Sequence, residues 1–110
     1  MTWSAENRSQ LIRIPAAVGE YRRAELRSAD PMTNPYIAYA LLIYAGLYGV
    51  ENDLYLPPAS AFNLYTASAE ALAALRKIPG SLYEAAAIAG SSTFIKDHLP
   101  ETVIKAYSHR

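Results

Sequence analysis

The chain has no cysteine. It therefore cannot be stapled by disulfides, and a thiolate zinc site is excluded. An excess of either charge is also missing, because ten basic and ten acidic residues balance to a formal net charge of zero. A neutral chain lacks the global field expected of nucleic-acid or membrane-surface binders. Histidine is scarce: His98 and His109 have no carboxylate or second histidine at ligand spacing, and both read as ordinary surface or terminal residues. The longest apolar stretch, Tyr36 to Tyr48, is too short to span a bilayer and is broken by Gly46. The first residues, Met1-Thr2-Trp3-Ser4-Ala5-Glu6-Asn7, lack the basic start and apolar run of a signal peptide. These absences fit a cytoplasmic protein with no membrane partner.

Apolar residues are plentiful. They make up 52% of the 110 positions, which argues against disorder and suits one small domain or a piece of a larger one. Half of the basic residues, Arg8, Arg13, Arg22, Arg23 and Arg27, precede Ser28. They lie in segments with strand character. Ser9 to Ile14 reads as one strand, with Ser9, Leu11 and Arg13 on one face and Gln10, Ile12 and Ile14 on the other; Pro15 ends it. Arg22 to Arg27 reads as a second, with Arg23, Glu25 and Arg27 on one face and Arg22 on the other. A long-looped hairpin of the two brings Arg13 near that row. Charged side chains are almost never buried unless paired, so an Arg-Glu-Arg row implies a wet, anion-facing surface. One carboxylate among guanidinium groups suits phosphate beside a metal.

After Ser28 the chain turns helical. Asn34 is a good N-cap and Pro35 suits the first helical position, which starts a helix running to about Tyr48. That helix is apolar all round, a pattern that belongs to a buried helix. So short a chain offers little to cover it, so part of the helix should pack against other sequence or another subunit. Ser68 to Lys77 reads as a further helix stopped by Ile78-Pro79-Gly80. Ser81 and Glu84 form a capping-box pattern opening a helix that Gly90 closes. Ser91 to His98 and Pro100 to Tyr107 read as two more. The tyrosines around Tyr36, Tyr39, Tyr44 and Tyr48 read as core and interface packing.

A set of motifs follows in order: Asn7-Arg8-Ser9 leading to Ile12-Arg13-Ile14-Pro15, Arg23-x-Glu25-x-Arg27, Asp30, Asn34-Pro35-Tyr36, and Ala45-Gly46-Leu47. Pro57-Pro58, Asn63-Leu64-Tyr65 and Ile78-Pro79-Gly80-Ser81-Leu82 come after them. Together they resemble the C-terminal part of the catalytic domain of type I glutamine synthetase, over nearly the whole chain. A full subunit of that family is several times longer. The resemblance therefore implies a fragment, residues 1–110, with arginine-rich strands over 1–30 and a helical part over 34–110. The expected fold is α+β: a short antiparallel strand pair, part of a larger family sheet, followed by a mostly helical segment.

The resemblance also implies chemistry. In the family, ATP phosphorylates the γ-carboxylate of glutamate and ammonia displaces the phosphate, with Mg²⁺ or Mn²⁺ as the divalent ion. Arg8, Arg13 and Arg23 match ATP-binding arginines. Glu25 matches a metal-binding glutamate, and its rival role is an ion pair with Arg23 or Arg27. Arg8 and Arg27 match the residues that serve glutamate and the developing phosphoryl charge, which makes them the catalytic candidates. Planar guanidinium groups suit such work. The family assembles as a homo-oligomer, a dodecamer of two hexameric rings, with sites between subunits. Since most site residues lie outside this stretch, the isolated chain should be inactive.

The chain departs from some members. Many carry a lysine before the Arg-x-Glu-x-Arg segment, where Glu20-Tyr21 stand here. Tyr65 occupies the place of a regulatory tyrosine of some bacterial members. The acidic-proline sequence that follows it there is replaced by Thr66-Ala67-Ser68-Ala69, so it reads as an ordinary packed or surface tyrosine. Two alternatives stand beside the leading reading: a related glutamate–amine (polyamine) ligase fragment, and a non-catalytic self-associating module built on the apolar helix. A nucleic-acid role is disfavoured, because the basic cluster is small, contains Glu20 and Glu25, and has no stacking platform.

Overall fold

The computed structural model describes residues 2–7, 9–60 and 62–108. Arg8 and His109 lie outside them. Two compact units emerge, one of Met1–Thr33 with Leu56–Lys77 and one of Asn34–Tyr55 with Ile78–Arg110.

The first unit is built on a three-stranded mixed sheet in the order β1 (Trp3–Ser4), β2 (Ile12–Arg13), β3 (Glu25–Leu26). The expected antiparallel pair is β2 with β3, in the register Ile12 opposite Leu26 and Arg13 opposite Glu25. The parallel strand β1 is an addition the sequence pattern did not announce; it sets Trp3 beside Ile12 and Ser4 beside Arg13. Strands β2 and β3 are far shorter than the alternation suggests. Ser9 and Gln10, expected in the ladder, instead spend their side chains on the segment near Phe62. The link from β2 to β3 turns through a 3₁₀ segment, Gly19–Tyr21. Gly19 sits there at φ +60°, a left-handed conformation that costs glycine little.

Residues 57–60 run beside β1. The Trp3 indole Nε1–H donates to the Pro57 carbonyl at 2.7 Å, and the Ser60 N–H donates to the Trp3 carbonyl at 2.9 Å. Helix α2 follows as Ala69–Ala73, capped by Ser68 Oγ accepting from the Ala71 N–H at 3.3 Å. Its start matches the sequence expectation, but it stops well before Lys77. Short helices are marginal without packing, and Pro79 biases Ile78 away from helix.

The second unit is helical. Helix α1, Pro35–Glu51, starts where Asn34 Oδ1 accepts from the N–H groups of Tyr36 and Ile37. Helix α3, Leu82–Ser91, opens on Ser81 Oγ accepting from the Glu84 N–H at 3.1 Å. The Glu84 carboxylate reaches back to the Gly80 N–H at 2.8 Å, one residue beyond the reciprocal capping box. Helix α4, Thr93–His98, is capped by Ser92, and α5 spans Glu101–Ser108. Gly90 does not close α3 but lies within it. A Cβ there would stand 3.3 Å from Ser108 Cβ, so the glycine lets α3 and α5 approach.

Helix α1 rests on α4 through aromatic rings. Tyr44 lies 4.4 Å from His98 between ring centroids, and Tyr48 meets Phe94 edge-on at 6.0 Å. His98 is therefore not the plain surface residue its sequence context suggests. It stacks at 4.5 Å on Phe94, and its Nδ1 lies 2.7 Å from the Phe94 carbonyl, which requires the proton on Nδ1. The rest of α1 is open: Tyr36, Tyr39, Ile43 and Val50 are exposed. No helix among the described residues is long and apolar enough to cross a membrane.

Candidate functional site

The antiparallel register of β2 and β3 assembles the site. Directly opposed residues on paired strands share a face, so Arg13 and Glu25 meet, and the Arg13 Nη1–H donates to Glu25 Oε2 at 3.1 Å. Two pairs further along, the Arg27 N–H donates to the Leu11 carbonyl at 2.9 Å. This continues the pairing and returns Arg27 to the face of Glu25. The Arg27 Nη1–H donates to Glu25 Oε1. Each carboxylate oxygen is thus held by a different guanidinium. All three side chains keep partial access to water, at 20% for Arg13, 34% for Glu25 and 33% for Arg27.

Electrostatics follow from this geometry. The hydrogen bond from Arg27, seconded by Arg13, holds the Glu25 carboxyl below the usual carboxylate range, against the opposing effect of partial loss of water. Two guanidinium groups around one carboxylate leave the cluster with a net positive charge. Arg13 also keeps a donor in reserve: its Nε is buried and has no partner among the described residues.

Arg23 does not join this cluster. It is exposed and, with Arg22, Ile14, Pro15, Ala16, Ala17 and Ala24, lines an open depression of about 550 Å³. Strand alternation put Arg22 and Arg23 on opposite faces. Residues 22–24 are not strand, so the alternation does not hold there, and both arginines border the same hollow. Arg8 falls outside the described residues.

The described residues contain no group of three or more metal-ligating side chains. Glu25 is a single hard oxygen ligand with both oxygens engaged by arginine. The donor set present here does not by itself hold a divalent ion.

Sequence reasoning passed over a set of polar residues beside the site. Gln10 is 2% exposed; its Nε2–H donates to the Phe62 carbonyl at 2.9 Å and its Oε1 accepts from the Thr2 hydroxyl. Asn7 Nδ2–H donates to the same Phe62 carbonyl at 3.0 Å, and Ser9 Oγ accepts from the Leu64 N–H at 3.0 Å. The signal was present, since Gln10 is the polar member of a row otherwise made of Ile12 and Ile14. Tyr65, just beyond, is 86% exposed, the surface position its context suggests.

Comparison with known proteins adds an independent line. The family pattern described as "Glutamine synthetase, catalytic domain" matches residues 1–110. A glutamine synthetase of Methanosarcina mazei is 40% identical over 109 residues, covering 97% of this chain and 24% of the relative. One from Thermus thermophilus is 41% identical over 111 residues, covering 99% and 24%. One from Staphylococcus epidermidis is 39% identical over 101 residues, covering 90% and 23%. The chain thus spans about a quarter of the length of the curated relatives it matches.

Proposed function

Because the chain belongs to the glutamine synthetase catalytic-domain family, we propose that residues 1–110 are the C-terminal fragment of an ATP-dependent ligase that makes glutamine from glutamate and ammonia. The observation that carries the reading is Glu25 held between Arg13 and Arg27 on one face of the sheet. The chemistry runs in two steps. A γ-carboxylate oxygen of glutamate attacks the terminal phosphorus of ATP, and ADP leaves. Ammonia then attacks the γ-carbonyl carbon of the acyl phosphate; inorganic phosphate departs and the nitrogen loses a proton.

The residues of this chain contribute charge and orientation. The part-exposed Arg13 guanidinium and the exposed Arg23 are suited to the phosphates of ATP. Arg27 is assigned to the glutamate side and to the charge that develops on the transferred phosphoryl group. Arg8 shares both roles by its place in the Asn7-Arg8-Ser9 motif. Glu25 has two states in this scheme. Without metal it neutralises Arg13 and Arg27. Glu25 would supply one carboxylate to Mg²⁺ or Mn²⁺, a divalent charge that would help hold the nucleotide phosphates, and the other protein ligands would have to come from outside residues 1–110.

The family's double-ring dodecamer is proposed as the assembly. The open apolar side chains of α1 are the sort of surface an assembly covers. A cytoplasmic setting is proposed with it. The purified 110-residue chain, given ATP, glutamate, ammonia and Mg²⁺, should release no phosphate above background. Turnover by the chain alone would overturn the view that it is only part of an active site.

A further inference from the structure

A strand of two residues has little ladder with which to set its own register. A slip of one residue in β2 would carry Arg13 to the opposite face and dissolve its pairing with Glu25. Three backbone bonds resist this: Ile12 N–H to the Thr2 carbonyl, Ile14 N–H to the Ser4 carbonyl, and Arg27 N–H to the Leu11 carbonyl. The segment before β2 adds a side-chain clamp. Two amide groups, Asn7 Nδ2 and Gln10 Nε2, converge on the single Phe62 carbonyl. Ser9 takes the Leu64 N–H and gives its own hydroxyl proton to Asn7 Oδ1 at 2.8 Å, which orients the Asn7 amide toward Phe62. Among the described residues of this unit Gln10 is the most deeply buried side chain, and both ends of its amide are satisfied.

We propose that Gln10 is a positioning residue for the anion site. Its buried amide, seconded by Asn7 and Ser9, ties the Phe62–Leu64 turn to the segment leading into β2. That tie fixes the register placing Arg13 opposite Glu25 and the Leu11 carbonyl under the Arg27 N–H. Gln10 spends its amide on Thr2 and Phe62 and acts through the backbone of its neighbour Leu11. A leucine or methionine would fill the same space, and a well-satisfied polar network is what specifies one arrangement over its competitors. The purpose given to the site rests on the ligase reading, but the register does not.

The test is backbone amide exchange and cross-strand NOE measurement on the whole 110-residue chain, with no nucleotide or metal present. Gln10→Met keeps the side-chain length and removes both hydrogen bonds. The Arg27 and Leu64 amides should then exchange about tenfold faster, with α3 amides unchanged, since one hydrogen bond is worth about a factor of ten. The NOE between residues 13 and 25 should weaken. Thr2→Val, which frees Gln10 Oε1 but leaves Gln10 in place, should move the same signals less, and Thr2→Ser should restore them; this pair decides the matter if Gln10→Met does not fold. Unchanged Arg27 exchange and an intact 13–25 NOE in the variants would overturn the proposal. Since no ligand is involved, failure of the ligase reading would leave these rates as expected.

Discussion

Arg13 and Glu25 stand opposite each other across the β2–β3 pairing and close the gap with a 3.1 Å ion pair. That relationship makes the pH dependence of the strand-bearing unit a direct probe. Glu25 has its carboxyl held low in the folded state, by Arg27 first and then Arg13. A depressed folded value means the stabilisation is present above the usual carboxylate range and is lost as pH falls through the folded value. The urea midpoint should therefore fall on acidification from pH 7, and Glu25→Gln should show less of that fall. Equal acid sensitivity in the two proteins would contradict the ion-pair assignment.

Helix α1 depends on its cap. Asn34 Oδ1 takes the first free N–H groups while its Nδ2–H donates to the Tyr107 hydroxyl at 2.9 Å. Asn34→Ala should cost about 1 kcal/mol of stability through the lost cap. Chemical denaturation followed by helical circular dichroism measures it, and Tyr107→Phe should lose only part of that amount.

Close approach of α3 and α5 leaves no space for a branched side chain at Gly90, whose added Cβ would lie 3.3 Å from Ser108 Cβ. Gly90→Val should destabilise the helical unit by about 1–3 kcal/mol, the usual range for overpacking. Thermal unfolding reads the loss, and Ser108→Gly in the same chain should recover part of it.

The open side of α1 carries Tyr36, Tyr39, Ile43 and Val50. Light scattering should show concentration-dependent association of the chain, and Ile43→Arg should shift it toward monomer. A clean monomer at all concentrations in the unmodified chain would argue against this surface as an interface.

Much of this fold was legible residue by residue. Asn34, Ser68 and Ser81 mark helix starts because their side chains accept the first unpaired N–H groups, and each does so here. The Arg13–Glu25–Arg27 face followed from strand alternation. What failed had long-range causes. Strand β1 is two residues long, and Trp3 finds its indole partner at Pro57, so no local pattern announces it. The expected strand over Ser9 and Gln10 lost to side-chain bonds with Phe62 and Leu64. Gly90 looked like a helix stop because its packing role depends on Ser108 in another helix. Arg23 was assigned to the Glu25 face on the assumption that the strand extends to Arg22, and it does not.

The most direct test of the central claim is glutamate- and ammonia-dependent phosphate release from ATP by a protein that carries these residues together with the other three quarters or so of the relatives' length. The account predicts turnover, with Arg13→Ala and Arg27→Ala each lowering kcat/KM by about a hundredfold, the order seen when one donor to a developing charge is removed. Variants that keep the parent's kcat/KM for both ATP and glutamate would contradict it.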